Sequence, residues 1–272
     1  MANKNELILN GEQKYLSQIS VLVEKLISEN KKMVLITGPS GSGKTTTAKV
    51  IAEKIEDMGY NAVYLSMDDW FRTKSEYQIP VTEDGKPDFE SPICLNIELL
   101  NSDLNKLLKG EVIDLPTYDF VNQKMYYSGV ELVADSNTIT IVEGLHAFNP
   151  MIELDRDKIF KVFVRPENQL YNGVEFTHED IRLYRRISRD KLYRGRSIDE
   201  TLYMLSSVTR GEKLYLNPHI KDVDVKVNTF IDYELFLHKS VLGNFEKLKS
   251  VEDVDITVKD IPEKSLLTEF YL

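Results

Sequence analysis

The chain has 272 residues, of which 42% are apolar, a formal net charge of −10 and a single cysteine. That length can bury a sizeable core, and the acidic balance argues against a general binder of nucleic acid or anionic membrane, since both need a positive face. Cys94 alone can form neither an intrachain disulfide nor a cysteine-based zinc site. The start, Met1 to Glu6, has no apolar signal core, and no run approaches about 18 apolar residues, so a soluble, cytoplasmic protein is expected.

From Gly11 to Asn30, Tyr15, Ile19, Leu22, Val23, Leu26 and Ile27 recur at helical spacing, which predicts an amphipathic helix in an N-terminal extension over residues 1–30. Met33 to Ile36 reads as a buried parallel strand. It runs into GPSGSGKT at Gly38 to Thr45, followed by a helix over Thr46 to Met58. Ala62 to Met67 predicts a second strand ending in Asp68-Asp69. Lys74 to Pro92 has no period and reads as a long functional loop, and Leu95 to Leu108 as a helix closed by Gly110. Short strands at Val112 to Pro116 and Glu131 to Val133, flanking a Tyr118-Asp119-Phe120 turn, complete an acceptor-binding loop and small antiparallel lobe over residues 74–135.

Asn137 to Val142 is a β-branched strand ending in Glu143-Gly144, and Phe160 to Val164 is another strand. Asp180 to Ser197 is helical and dense in arginine, forming a lid over residues 180–200. Val223 to Asn228 predicts a late strand, and Tyr233 to Leu248 a helix in a C-terminal segment covering residues 232–272. No repeat or linker divides the chain, so a single α/β domain with a mainly parallel sheet flanked by helices is expected over residues 1–272.

The glycine-rich loop between strand and helix points to a nucleoside triphosphate, ATP. Glycines let successive N–H groups converge on an anion, so Gly38, Ser40, Gly41, Ser42, Gly43, Lys44, Thr45 and Thr46 form the phosphate site. Lys44 would reach the β- and γ-phosphates and Thr45 would ligand Mg²⁺, with Glu143 as the second metal residue at a strand end. Asp68 or Asp69 could accept the proton of an attacking hydroxyl. Adjacent side chains on an extended backbone point oppositely, so one of the two faces the site, and spacing does not say which. Arg182, Arg185, Arg186 and Arg189 share a helical face and, with Arg194 and Arg196, suit a lid that closes over phosphates. Phe71, Phe89, Tyr118 and Phe120 lie in predicted loops where rings can stack on a base, and Asp88 and Glu90 could accept from ribose hydroxyls. The four histidines show no metal-ligand spacing and receive no role.

These motifs, with SMDDWFR at Ser66 to Arg72, GKPDFESP at Gly85 to Pro92, LPTYDF at Leu115 to Phe120, VEGLHAF at Val142 to Phe148 and RLYRRISRDKLYRGR at Arg182 to Arg196, resemble the phosphoribulokinase and uridine kinase family of P-loop kinases. The resemblance covers Val34 to about Phe230. It implies that Asp68 is the catalytic aspartate, acting with Lys44 and Arg189, and that Glu143 is the metal-associated glutamate. It also implies that Glu90 holds ribose hydroxyls, that Phe89 and Tyr118 lie beside the base, that Arg186 contacts the ribose or phosphate, and that Arg189, Arg194 and Arg196 approach ATP. The implied reaction is ATP-dependent phosphorylation of a nucleoside 5′-hydroxyl, with uridine or cytidine as acceptor. Relatives of this kind often form homo-oligomers, and the resemblance extends that expectation to this chain; nucleic-acid and membrane partners are not expected.

The departures fall at the acceptor. Gln123 stands where the family has a histidine that reads the pyrimidine, Met204 replaces a glutamine, and Phe71 replaces a tyrosine. A substrate-binding role for Phe71, Phe89, Glu90, Tyr118, Gln123 and Arg186 is the expectation. Phosphorylation of another small neutral alcohol or sugar is the enzymatic rival, and a non-catalytic nucleotide-binding regulator is the rival of another class. Asn168 to Thr177 reads as an insertion, and the segment after Ser250 has no counterpart in the family.

Overall fold

The computed structural model describes residues 3–243 and 245–272. Helix α1 (Lys4–Ser28) starts earlier than the apolar periodicity suggests, because Asn3 caps it by accepting the Asn5 N–H. Its predicted face is the one that packs: Tyr15, Ile19, Leu22, Val23 and Leu26 are buried. Burial stabilises by roughly 1.5–3 kcal/mol per large apolar side chain, so this stripe pins the helix to the sheet. Strand β1 (Met33–Thr37) follows, and helix α2 (Lys44–Asp57) leads to β2 (Asn61–Ser66). Helix α3 (Ile97–Leu108), capped by Asn96, precedes a hairpin of β3 (Ile113–Asp119) and β4 (Lys124–Leu132). That hairpin is longer than expected. Tyr118 and Asp119 end a strand rather than forming the turn, which passes through Gln123 at φ +52°.

Strands β5 (Thr138–Glu143) and β6 (Ile159–Arg165) complete the centre of the sheet. Residues 168–177, the presumed insertion, hold a small hairpin of β7 (Gln169–Tyr171) and β8 (Val174–Phe176) turning at Asn172-Gly173. Helix α4 (His178–Tyr193) then ends before Arg194. Ser197, expected inside one long arginine helix, instead caps a separate helix α5 (Ile198–Gly211), with a capping box closed by Glu200. A π-turn at Glu212–Leu216, edge strand β9 (Val225–Asn228), helix α6 (Glu234–Leu242) and a terminal turn α7 (Thr268–Tyr271) finish the chain. The predicted helix to Leu248 ends early, at Gly243, and resumes only as a 3₁₀ turn at Glu246–Ser250.

The main sheet has the order β2-β5-β1-β6-β9, all parallel, with Leu35 beside Val142 and Lys161 in its central register. Alternation along the strands splits the core in two. Val34, Ile36, Ile139, Ile141, Phe160, Val162 and Val164 face the layer of α1, α2, α4 and α6, whereas Met33, Leu35, Val142, Ile159 and Phe163 face α3 and the hairpin side. Parallel strands all end at one edge, so the loops after Thr37, Ser66 and Glu143 converge there, where open α/β sheets place their ligands.

Candidate active site

The loop after β1 leaves the sheet at Gly38, where a Cβ would lie 2.1 Å from the Val164 carbonyl oxygen of β6. Gly43 then adopts φ +86° against Leu266 of the C-terminal segment. Helix α2 starts at Lys44, and its first N–H groups lack intrahelical partners, an arrangement that suits an anion, although the Thr46 N–H is taken by Glu269 at 3.4 Å; Gly41, Gly43, Lys44 and Thr45 line a cleft of about 370 Å³.

Arginines expected to close over phosphate instead brace this loop. Arg182 Nη1 donates to the Ser40 carbonyl at 3.2 Å, Arg185 Nη1 to the Gly41 carbonyl at 3.2 Å, and Arg186 Nη1 to Ser40 Oγ. Glu212, in the π-turn, accepts the Ser40 N–H at 2.9 Å and pairs with Arg182 at 2.8 Å. Every polar group of Ser40 is therefore held from α4 or from the turn after α5. Arg186, read as a substrate contact, is 5% exposed and does not line the cleft. Arg189 does line it. Arg194 and Arg196 do not; with Arg189 they surround the buried Asp190 carboxylate at 3.4–3.7 Å.

Glu143 ends β5 and is 7% exposed; its Oε1 accepts from Thr45 Oγ1 at 3.3 Å, Tyr64 OH at 3.1 Å and Ser66 Oγ at 3.4 Å. Thr45 and Glu143 thus present hard oxygen donors side by side, which fits Mg²⁺. Among the described residues no three His, Cys, Asp or Glu side chains gather as a metal-binding cluster.

Asp68 and Asp69 do not sit on extended backbone, as the alternation argument assumed. Met67–Trp70 is a 3₁₀ turn, with the Asp68 N–H donating to Ser66 Oγ. Asp68 lines the cleft, whereas Asp69 is directed toward the backbone of Tyr118. Asp68 is exposed, yet protein atoms crowd its carboxyl. This desolvation and the negative Glu143 push its carboxyl up to about 6 against the pull of Lys44.

At the acceptor end Phe71, Tyr118 and Phe120 form an aromatic cluster with ring centroids 4.9–5.9 Å apart, and Phe71, Phe89 and Phe120 line the cleft. Tyr118 stands behind them. Burial, reinforced by Glu212 and opposed by Arg186, pushes the Glu90 carboxyl up to about 7. Asp88 is not free for a ribose: it is buried and accepts from Arg210 at 2.8 Å and Tyr215 OH at 2.7 Å. Gln123 and Met204 lie outside the cleft wall. The Gln123 carbonyl takes the Lys74 N–H in the hairpin turn, and Met204 is 40% exposed on α5.

Three polar residues of the cleft went unrecognised in the sequence. Glu212 carried no motif. Glu269, from the segment without a counterpart, accepts from Thr46 Oγ1 at 2.7 Å. His146 lies inside VEGLHAF, so its neighbour Glu143 was the available signal. A larger, mostly apolar groove of about 720 Å³ between α1, α2 and residues 260–265 holds none of the phosphate-site residues.

A phosphate loop, strand-end carboxylates and an arginine helix on a parallel sheet define an ATP-dependent kinase with a P-loop. The model of the phosphoribulokinase / uridine kinase family matches residues 33–235, and the chain belongs to that family. It is 32% identical over 224 residues to a uridine kinase of Borrelia turicatae, spanning 81% of this chain and 98% of the relative. A uridine kinase of Leuconostoc citreum is 34% identical over 164 residues, 60% of this chain and 70% of the relative. The structure of a "Possible Uridine Kinase" from Bacillus stearothermophilus superposes with a TM-score of 0.53 at 18% identity, covering 78% of this chain and 98% of that one. D-glycerate 3-kinase from Cryptococcus neoformans gives 0.52 at 16%, covering 76% and 90%. Both of these are likenesses of fold.

Proposed function

We propose that the enzyme transfers the γ-phosphate of ATP to the 5′-hydroxyl of a nucleoside, with uridine or cytidine as the leading acceptor. The observation that carries this reading is the position of Asp68, on one cleft wall with Lys44 of the phosphate loop and with the Phe71 and Phe120 rings. A carboxylate between a triphosphate site and an aromatic platform can take the proton of an alcohol that attacks phosphorus in line. The uridine kinase relatives supply the acceptor class.

Lys44 and the loop N–H groups other than that of Ser40, which Glu212 already takes, hold the β- and γ-phosphates, and the braces on Ser40 and Gly41 keep the loop aligned without reorganisation. Mg²⁺, when bound, offsets phosphate charge, and Thr45 and Glu143 are the residues that would hold it. Arg189 stands at the cleft wall to meet charge developing on the transferred group, with Arg194 and Arg196 held in reserve around Asp190. The Phe71, Phe89 and Phe120 faces accommodate the base, and Glu90 accepts from the ribose.

The test is ADP release measured across a panel of nucleosides and small alcohols, with the product identified by mass. Asp68→Asn should lower kcat by orders of magnitude while the Kd for ATP changes little. Near-normal turnover in that variant removes Asp68 from the role of base.

A further inference from the structure

We propose that His146 recognises the phosphoryl acceptor, its Nδ1 lone pair taking a hydrogen bond from a hydroxyl or N–H of that molecule. The proposal rests on the nucleoside kinase reading and adds a specificity residue to it. The turn at Gly144 after β5 brings His146 to the cleft that Asp68 and Glu90 also line, where the residue is 6% exposed. Its Nε2 lies 3.0 Å from the backbone carbonyl oxygen of Glu90. A carbonyl only accepts, so Nε2 must carry the proton, and in a neutral ring the lone pair then belongs to Nδ1. Burial keeps the ring neutral by pushing its pKa down to about 4.

Nδ1 is buried and has no hydrogen-bond partner in the protein. A shielded acceptor without a donor costs free energy that a ligand hydroxyl or N–H would recover. The ring cannot easily turn away, because Nε2 is tethered to the acceptor loop and the Tyr215 ring stands edge-on at 5.8 Å. Gln123 lies outside the cleft wall, and Met204 carries no polar group like the glutamine that the family has there. What remains at the acceptor end is His146 Nδ1, which accepts, and Glu90, whose carboxyl, raised to about 7, accepts when ionised and also donates when protonated. At His146 Nδ1 the chemistry recognised is a hydrogen-bond donor, such as a hydroxyl or N–H of a ribonucleoside.

Two variants separate recognition from scaffolding. His146→Gln places an amide N–H near the former Nε2 and keeps the tether to Glu90 while deleting the lone pair. His146→Asn places an oxygen near the former Nδ1 and keeps an acceptor there while losing the tether. The probes are uridine, 2′-deoxyuridine, 3′-deoxyuridine and N3-methyluridine, with kcat/KM measured for each and the KM for ATP followed as a control. The wild type should discriminate against at least one probe that lacks a donor, by roughly three- to tenfold, the worth of one neutral hydrogen bond. His146→Gln should abolish that discrimination with KM for ATP unchanged, and His146→Asn should retain it. Equal discrimination in wild type and His146→Gln overturns the proposal while leaving the nucleoside reading intact, as does loss confined to His146→Asn. A wild type that phosphorylates no nucleoside overturns the reading itself and the proposal with it.

Discussion

Replacing Arg185 with Met tests the claim that the phosphate loop is braced from a buried ion pair. Arg185 and Glu234 are both wholly buried. The guanidinium donates to Glu234 Oε2 at 2.9 Å, the Thr229 carbonyl at 2.6 Å and the Gly41 carbonyl at 3.2 Å, and stacks 5.0 Å from the Phe270 ring centre. Methionine fills much of the volume and packs against Phe270, but leaves a buried carboxylate and two buried carbonyls without those donors. Breaking one side of a buried pair costs about 3–5 kcal/mol. His238, with Nε2 3.2 Å from Glu234 Oε1, stays in place and moderates the loss toward the lower figure. At roughly 2–4 °C per kcal/mol for a chain of this size, the melting temperature should fall by about 6–12 °C.

The deficit should also depend on pH. Burial opposes the charge on Glu234, yet Arg185 and His238 together hold its carboxyl down at about 2. A depressed carboxyl adds stability above its unfolded value, and that stability is lost as pH falls toward 2. Without Arg185, burial opposed only by His238 raises the Glu234 pKa, so the folded variant takes up a proton as pH falls and its deficit narrows. Calorimetric melting at pH 7.5 and pH 5 should therefore show the larger gap at pH 7.5. The double variant Arg185→Met, Glu234→Leu should recover most of the loss, since no charge is left stranded. A single variant within 1 °C of wild type, or a gap that widens toward pH 5, would refute the reasoning.

Two further predictions concern turnover. With Asp68 as base and its carboxyl near 6, kcat/KM should fall as pH drops through about 6 and level off above it; a flat profile between pH 5 and 7.5 excludes that assignment. At Gly211 a Cβ would come 2.5 Å from Glu90 Cβ, too close for the two backbones to stay in place. Gly211→Ala should shift Glu90 and raise KM for the acceptor by about tenfold or more, in line with roughly 1–3 kcal/mol for overpacking. Isothermal titration with ATP should change little, and equal losses for both substrates would place Gly211 in the general scaffold.

Some of this was legible in local pattern. The octet at Gly38 to Thr45 lies between a strand and a helix because strand alternation, glycine freedom and helix initiation are properties of a few neighbouring residues. The acidic strand ends were readable for the same reason. Helix limits were less so. The break at Arg194 depends on Ser197 and Glu200 forming a capping box, which outweighs the continuous arginine pattern that suggested one helix. The role of each arginine was not readable, since equal spacing on α4 gives Arg182, Arg185, Arg186 and Arg189 similar directions and says nothing of what packs against them.

By itself, then, the amino-acid sequence determined the parallel α/β plan, the phosphate loop and the family to which the chain belongs, because each is written in short runs of adjacent residues. The resemblance already singled out Asp68 over Asp69; only the tertiary structure decided that Asp69 turns toward Tyr118, that Asp88 is already bonded, and that Gln123 and Met204 stand outside. It also brought Glu212 to Ser40 across 172 residues and Glu269 to Thr46 across 223. The physical reason is the same throughout. A side chain's partners are set by what the fold packs against it, and those groups lie too far along the chain for any local pattern to announce them.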